Sequence, residues 1–364
     1  MTLVARPLRA AGSERARAVE GAIVEAVAYA DVFDWPLTPA EIHAFLPIQA
    51  GLDEVVAAVQ SARLGEFVST TLGQFTIPTL GQAMSKTDKQ VTLVGREHLV
   101  AERARREAIS AALWRRAHPW ARRVAALPFV RLVAVTGSLA VGASADDADV
   151  DLLIVTEPGR LWLTRAMTVG LVRAAAARGV PLCPNYFLAD SALELTDHDL
   201  FTAHELVQMV TLSGAHAQAA LLERNGWYRD FLPNHPGPRA MEEGAPARRP
   251  HLRGLVERAL LVGPVDRLER WEMKRKVARL GALARSSTTA GPDAPGPWST
   301  TAGPDAPAPW NVAALPTEAR FDAQVCKGHA GAHRRRSLAA YEQRLARLAD
   351  RDSLTAFGRG GPGT

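Results

Sequence analysis

The chain has 364 residues, 47% of them hydrophobic and 22% charged, and a net charge of +5. That length and composition are those of a globular protein of two or three domains, with no apolar run long enough to cross a bilayer. The segment Met1–Pro7 lacks the apolar core of a signal peptide, and Cys183 and Cys326 are the only cysteines. The expectation is therefore a cytoplasmic protein without a membrane span or a disulfide framework.

From the N-terminus, Val19, Ile23, Val27 and Ala30 recur at helical spacing over residues 14–30. Thr38-Pro39-Ala40-Glu41 reads as a capping box with proline at the first helical position, opening a short helix. A third helix is expected from Leu52 to Leu64, with Val55, Val56 and Val59 inward. Residues 66–71 and 74–77 read as a hairpin with its turn at Leu72-Gly73. Three helices and a hairpin are the order of a winged-helix domain, here 14–78. Such a domain suggests DNA docking, yet its third helix offers Gln60 and Arg63 against Asp53 and Glu54, a poor footprint for phosphate. Docking of a protein partner or positioning of a substrate fits it equally well.

Residues 79–117 read as an insertion and a connecting helix. The tetrapeptide Thr-Leu-Gly-Gln of 71–74 recurs at 79–82, and a helix from Glu97 to Ala117 is expected to break at Pro119. Eight arginines against three glutamates lie between Arg96 and Arg123, and Arg334–Arg336 forms another basic run. Such runs suit a phosphate-facing surface or the solvated faces of helices.

The next region, 118–234, carries the chemistry. A buried strand, Val130–Thr136, ends in Gly137-Ser138, and ten residues later Asp149-Val150-Asp151 opens a second apolar strand. Residues i and i+2 of a strand share a face, so Asp149 and Asp151 project together. Two adjacent carboxylates repel, and a divalent cation with a preference for oxygen ligands removes the repulsion. The Gly-Ser turn offers backbone N–H groups and a hydroxyl to phosphate. An apolar helix follows over 160–178, ended by Gly179, and then a third strand over 180–188.

This arrangement resembles the nucleotidyltransferase superfamily typified by DNA polymerase β, over about residues 120–195. The matching positions are Gly137, Ser138, Asp149 and Asp151. The resemblance implies an α+β fold, a mixed sheet with helices on it. It also implies magnesium held by Asp149 and Asp151, and triphosphate contacts from Gly137 and Ser138. The implied reaction transfers a nucleoside monophosphate from a nucleoside triphosphate to an acceptor, which could be a small molecule, a protein or an RNA. Two-metal members place a third carboxylate on the third strand, where this chain has Asn185, with Asp190 and Glu194 beyond. Asparagine offers a carbonyl oxygen to a metal but is no general base. Three explanations stay open: Asp190 on a longer strand, an anionic group of the substrate, or nucleotide binding without turnover. The last describes a regulator whose winged helix docks DNA or a protein. In the same family frame, Ser144, Asp146 and Asp147 fall in the loop near the triphosphate. Lys274, Arg275 and Lys276 could reach phosphates from a C-terminal helix.

Residues 196–223 read as one helix. Region 235–285 begins with a Pro/Gly/Arg linker at 236–250 and continues as helices at 251–262 and 265–284. Residues 287–298 and 299–310 are a tandem duplication differing at one position, inside a linker, 286–316, of disordered composition. The last segment, 317–352, carries a helix from Arg334. Cys326, His329 and His333 have zinc-like spacing, and Lys327-Gly328-His329 could instead form a polar lid. His204-Glu205 lacks the second histidine of a metalloprotease helix, and His204 reads as a packed helix residue.

Overall fold

A computed structural model describes residues 5–79, 82–241, 250–261, 264–286, 320–327 and 333–349. The N-terminal unit comprises α1 (Ala5–Asp31), α2 (Pro39–Phe45), α3 (Leu52–Val59) and a hairpin of β1 (Val68–Thr79) with β2 (Gln82–Leu93). Ile23, Ile42, Leu46, Val55, Leu64, Phe67 and Val91 fill its core. The capping box opens α2 as its sequence dictates: Thr38 Oγ1 accepts from the Glu41 amide at 3.3 Å, and Glu41 Oε2 accepts from the Thr38 amide at 2.7 Å.

The hairpin differs from expectation. Its strands are paired from Val68↔Leu93 to Thr79↔Gln82, so Leu72 and Gly73 lie mid-strand opposite Lys89 and Asp88. The residues expected to be an irregular insertion are its second strand. Both copies of Thr-Leu-Gly-Gln carry turn chemistry, and packing chooses between them. A Cβ on Gly73 would lie 2.7 Å from Val100 Cγ1, so the glycine lets the following helix approach the strand.

That helix, α4 (Leu99–Ala125), runs unbroken through Pro119. An interior proline disfavours a helix by about 3 kcal/mol. Here Leu113 and Ala117 before it, and Ala121 and Val124 after it, are buried in one cluster against the sheet, and that burial holds the two halves in line.

The main sheet is mixed and seven-stranded. Its central strands are β3 (Val130–Val135), β4 (Val150–Thr156) and β5 (Leu182–Ala189), with α5 (Gly137–Val141) after β3 and α6 (Leu161–Ala176) between β4 and β5. β3 and β4 are antiparallel, whereas β4 and β5 are parallel. The region expected to be one helix, 196–223, is divided into α7 (Leu200–Gln208), β6 (Val210–Ser213) and α8 (Ala215–Arg224). β6 joins the sheet beside β3. Gly214 makes this possible: φ is +93°, and a Cβ there would lie 2.1 Å from the Arg131 carbonyl oxygen. After α9 (Tyr228–Phe231), β7 (Arg239–Ala240) lies beyond β6, inside the stretch expected to be linker.

α10 (Pro250–Leu261) and α11 (Val265–Ser286) follow, and β8 (Arg320–Phe321) and β9 (Val325–Lys327) complete the other edge beside β5. The last helix, α12 (His333–Ala349), returns to the N-terminal unit, where Leu348 enters its core and Arg344 Nε donates to Asp31 Oδ2 at 2.7 Å. The repeat at 287–310 and His329 lie outside the described residues. Among those described, no helix is long and apolar enough to cross a membrane, and both cysteines are free and buried.

Strand alternation decides which helices face which residues. Val150, Leu152 and Ile154 pack toward α4 and α6, whereas Leu153 and Val155 pack toward α7 and α8. Asp151, in phase with Leu153, faces the α7 side.

Candidate functional site

The Gly-Ser pair and the aspartates converge. Gly137 opens α5 with φ +65°, and a Cβ built on it would lie 2.4 Å from Asp151 Oδ2. Left-handed backbone and close approach to a carboxylate each call for glycine here. The Gly-Ser pair is thus the first turn of a short helix rather than an open turn, with the Thr136 amide donating to the Asp151 carbonyl oxygen at 3.0 Å. Asp149 immediately precedes β4 instead of beginning it.

Burial raises the Asp151 carboxyl to about 7, and the charges of Glu205 and Asp149 add to the rise. The Cys183 thiol, opposite it on β5, opposes the rise by hydrogen bonding. Asp149 is raised to about 6 by burial and by Asp147. Glu205 is raised to about 7 by burial, against a smaller effect of Lys327. Three carboxyl groups therefore crowd one face with little cationic compensation, which is costly unless a cation or protons enter.

Glu205 is the residue that sequence reasoning passed over. Read beside His204, it looked like part of a failed metalloprotease helix. The available signal is weak: α7, Leu-Phe-Thr-Ala-His-Glu-Leu-Val-Gln, carries one charged residue, this acid. Only the packing of α7 on the Asp151 face brings the two together.

Asn185 is buried and donates Nδ2 to Asp151 Oδ1 at 2.8 Å. It orients the aspartate. Asp190 is not near the pair. The parallel register sets Asp151 beside Cys183 and Thr156 beside Ala189, so Asp190 lies at the far end of the strands, roughly 20 Å away at the usual rise. The explanation that a longer strand supplies Asp190 as third acid is thereby corrected.

Other sequence candidates fall elsewhere. Asp146 pairs with Arg105 at 2.8 Å, and Ser144 is buried with its amide donating to Ser110 Oγ. Lys274, Arg275 and Lys276 lie on α11, where Glu272 engages Arg275 and Lys276. That helix caps α6, Glu269 accepting from the Trp162 and Leu163 amides at 2.8 and 2.7 Å. Several arginines of the run before and along α4 are bound internally: Arg96 to Asp31 and Asp34, Arg103 to Glu41 and Glu107, and Arg106 to backbone carbonyls. Cys326 is buried in β9, and His333 contacts Ser337 Oγ on α12. Among the described residues, no three His, Cys, Asp or Glu side chains are arranged to hold a metal ion, so neither zinc nor a three-carboxylate cage is formed by them. Lys327 reaches Asp197 at 3.0 Å and lies over the Tyr186 ring. On α3, Glu54 is tied to Arg15, and Leu52 and Val56 are exposed, a surface of little cationic character.

A cavity of about 520 Å³ opens beside the carboxylates, and its wall includes Gly137, Ser138 and Glu205 but not Asp149, Asp151 or Asn185. Gly137 is the thin partition between this space and Asp151.

Comparison with protein-family models, with curated proteins and with solved structures finds no match to this chain.

Proposed function

We propose that the protein is a magnesium-dependent nucleotidyltransferase, transferring a nucleoside monophosphate from a nucleoside triphosphate to an acceptor hydroxyl or amine. One observation carries the reading: the glycine of Gly137-Ser138 is pressed against Asp151, with Asp149 and Glu205 beside it and only a smaller opposing effect of Lys327 on Glu205. Folding alone gives no reason to collect these groups, whereas a phosphate-bound cation does.

The donor set fits magnesium in its usual manner, one or two carboxylates with substrate phosphates completing the shell. Asp149 and Asp151 would hold it, and bound there it would neutralise charge developing on the transferred phosphoryl group. Gly137 and Ser138 would offer amide N–H groups and a hydroxyl to the triphosphate, and Asn185 fixes the rotamer of Asp151. Glu205 is assigned as the base. It is raised to about 7, it lines the cavity, and it is not part of a metal cage. The acceptor oxygen or nitrogen bonds to the α-phosphorus as its proton passes to Glu205. The bond from the α-phosphorus to the bridging oxygen breaks, and its electron pair leaves with pyrophosphate. In this reading the N-terminal helices and hairpin are a winged-helix-like unit, and the sheet from β3 to β5 is the nucleotidyltransferase core.

The test is titration with magnesium and each nucleoside triphosphate, with pyrophosphate release measured over a panel of acceptors. Binding that disappears in Asp149→Ala with Asp151→Ala, together with turnover, is expected. Nucleotide binding that ignores both substitutions refutes the site. Binding without release for any acceptor leaves a nucleotide-binding regulator in its place.

A further inference from the structure

The cavity beside Glu205 is built from both halves of the molecule. α1 and α2 of the N-terminal unit form one side, and α4, α5, α7 and the segment before β7 form the rest. Its chemistry is divided. On one wall, four rings stack in series: Tyr29 on His204 with centroids 4.2 Å apart, His204 on Phe45 at 4.8 Å, and Phe45 on His235 at 5.3 Å. Burial holds His204 down at about 3, and burial with Arg239 holds His235 down at about 4, so both rings are neutral near pH 7. The wall is an uncharged aromatic surface, and the buried His204 Nδ1 has no hydrogen-bond partner among the described residues.

Three arginines face the cavity and differ in what occupies them: Arg106 is engaged by the carbonyls of Ala143, Phe33 and Asp34. Arg103 is saturated by Glu41, Glu107 and the Pro36 carbonyl. Arg239 donates Nη2 to the Ala140 carbonyl at 2.6 Å, makes no carboxylate hydrogen bond among the described residues, and is exposed toward the cavity. A guanidinium held by a carbonyl, with donors to spare, suits a ligand anion. At the opposite chemical pole of the wall stand Ser138 and Glu205.

We propose that this cavity is the acceptor site and takes a small molecule with an apolar body, an anionic substituent held by Arg239 and a hydroxyl or amine presented to Glu205. The inference rests on the transfer reaction above and names its second substrate. The group beside the base is the one that loses a proton, which makes the occupant the nucleophile and leaves the nucleotide phosphates to Gly137 and Ser138. A volume of about 520 Å³ suits a single small molecule and excludes a duplex. The N-terminal unit then has a role independent of DNA: it closes the substrate pocket.

The test uses the full chain and 6-hydroxy-2-naphthoate as probe, its carboxylate and hydroxyl at opposite ends of the rings, with 2-naphthol as the analogue lacking the anion. Saturable binding at one site per chain is expected for the hydroxy acid. Arg239→Met should weaken it about tenfold or more, the size of one charge-assisted hydrogen bond, while leaving 2-naphthol unchanged. Ala44→Trp, which fills the cavity from α2, should abolish both, with circular dichroism confirming that the variant is folded. Equal binding in all three proteins, no saturable binding, or displacement of the probe by magnesium-ATP overturns the assignment. The two readings fail separately. Magnesium-ATP bound at the aspartates without probe binding overturns the acceptor site alone. Probe binding without nucleotide binding refutes nucleotidyl transfer, and the acceptor role with it.

Discussion

Replacing Asp151 with asparagine tests the electrostatic account of the site directly. The carboxyl is raised from 3.8 to about 7 by burial, Glu205 and Asp149. Its folded-state value lies above the unfolded one, so the native chain binds the proton more tightly. Stability is therefore lost as pH rises from about 4 to about 7, and each unit in that window costs about 1.4 kcal/mol. The full loss is on the order of 4 kcal/mol for a largely buried group. Asparagine keeps the shape and the Oδ1 acceptor used by Asn185 Nδ2, but carries no charge. Urea unfolding followed by tryptophan emission should show the two proteins nearly equal at about pH 4 and Asp151→Asn more stable by a few kcal/mol at about pH 8 without divalent cations. Adding magnesium at the higher pH should stabilise the wild type and not the variant, reversing part of the gap. A variant less stable than wild type at the higher pH without metal, or a difference that does not change with pH, refutes the reasoning.

Three further outcomes follow from the same geometry. Glu205→Gln should retain magnesium–nucleotide binding, measured by calorimetry, while pyrophosphate release falls about a hundredfold or more, the usual contribution of a positioned base; unchanged turnover removes Glu205 from the mechanism. Gly137→Ala forces a side chain into left-handed backbone and against Asp151 Oδ2, so a loss of about 1–3 kcal/mol in denaturant unfolding is expected, together with weaker magnesium binding. Arg103→Ala strands the buried Glu107 and the carboxylate of Glu41 without their counter-charge, and should destabilise the fold by about 3–5 kcal/mol in the same assay.

Local signals were legible where the physics is local. The capping box of α2 is written in four adjacent residues, and the alternation Asp149-Val150-Asp151 places two carboxylates together from strand geometry alone. Where two local readings compete, sequence reasoning had no means to choose. Thr-Leu-Gly-Gln occurs twice with the same turn chemistry, and the approach of Val100 to Gly73 selects the strand role for the first copy. Pro119 should break a helix, yet burial on both sides of it holds α4 together. Residues 196–223 have helical periodicity throughout, but pairing with β3 draws Val210–Ser213 into the sheet.

The candidate site divides along the same line. Gly137, Ser138, Asp149 and Asp151 lie close in sequence, and their chemistry follows from spacing. Asn185 was identified by its place on the third strand, but its hydrogen bond to Asp151 is a matter of register. Glu205 is 54 positions beyond Asp151, on a helix whose own pattern says only that it carries a single acid. Sequence by itself determined that Gly137-Ser138 follows one apolar strand and that two alternating aspartates stand at the start of the next. Tertiary structure alone decided that Glu205 comes close enough to act on Asp151 and that it lines the cavity, because side-chain proximity across elements depends on which sheet face a helix covers, and no local interaction encodes that.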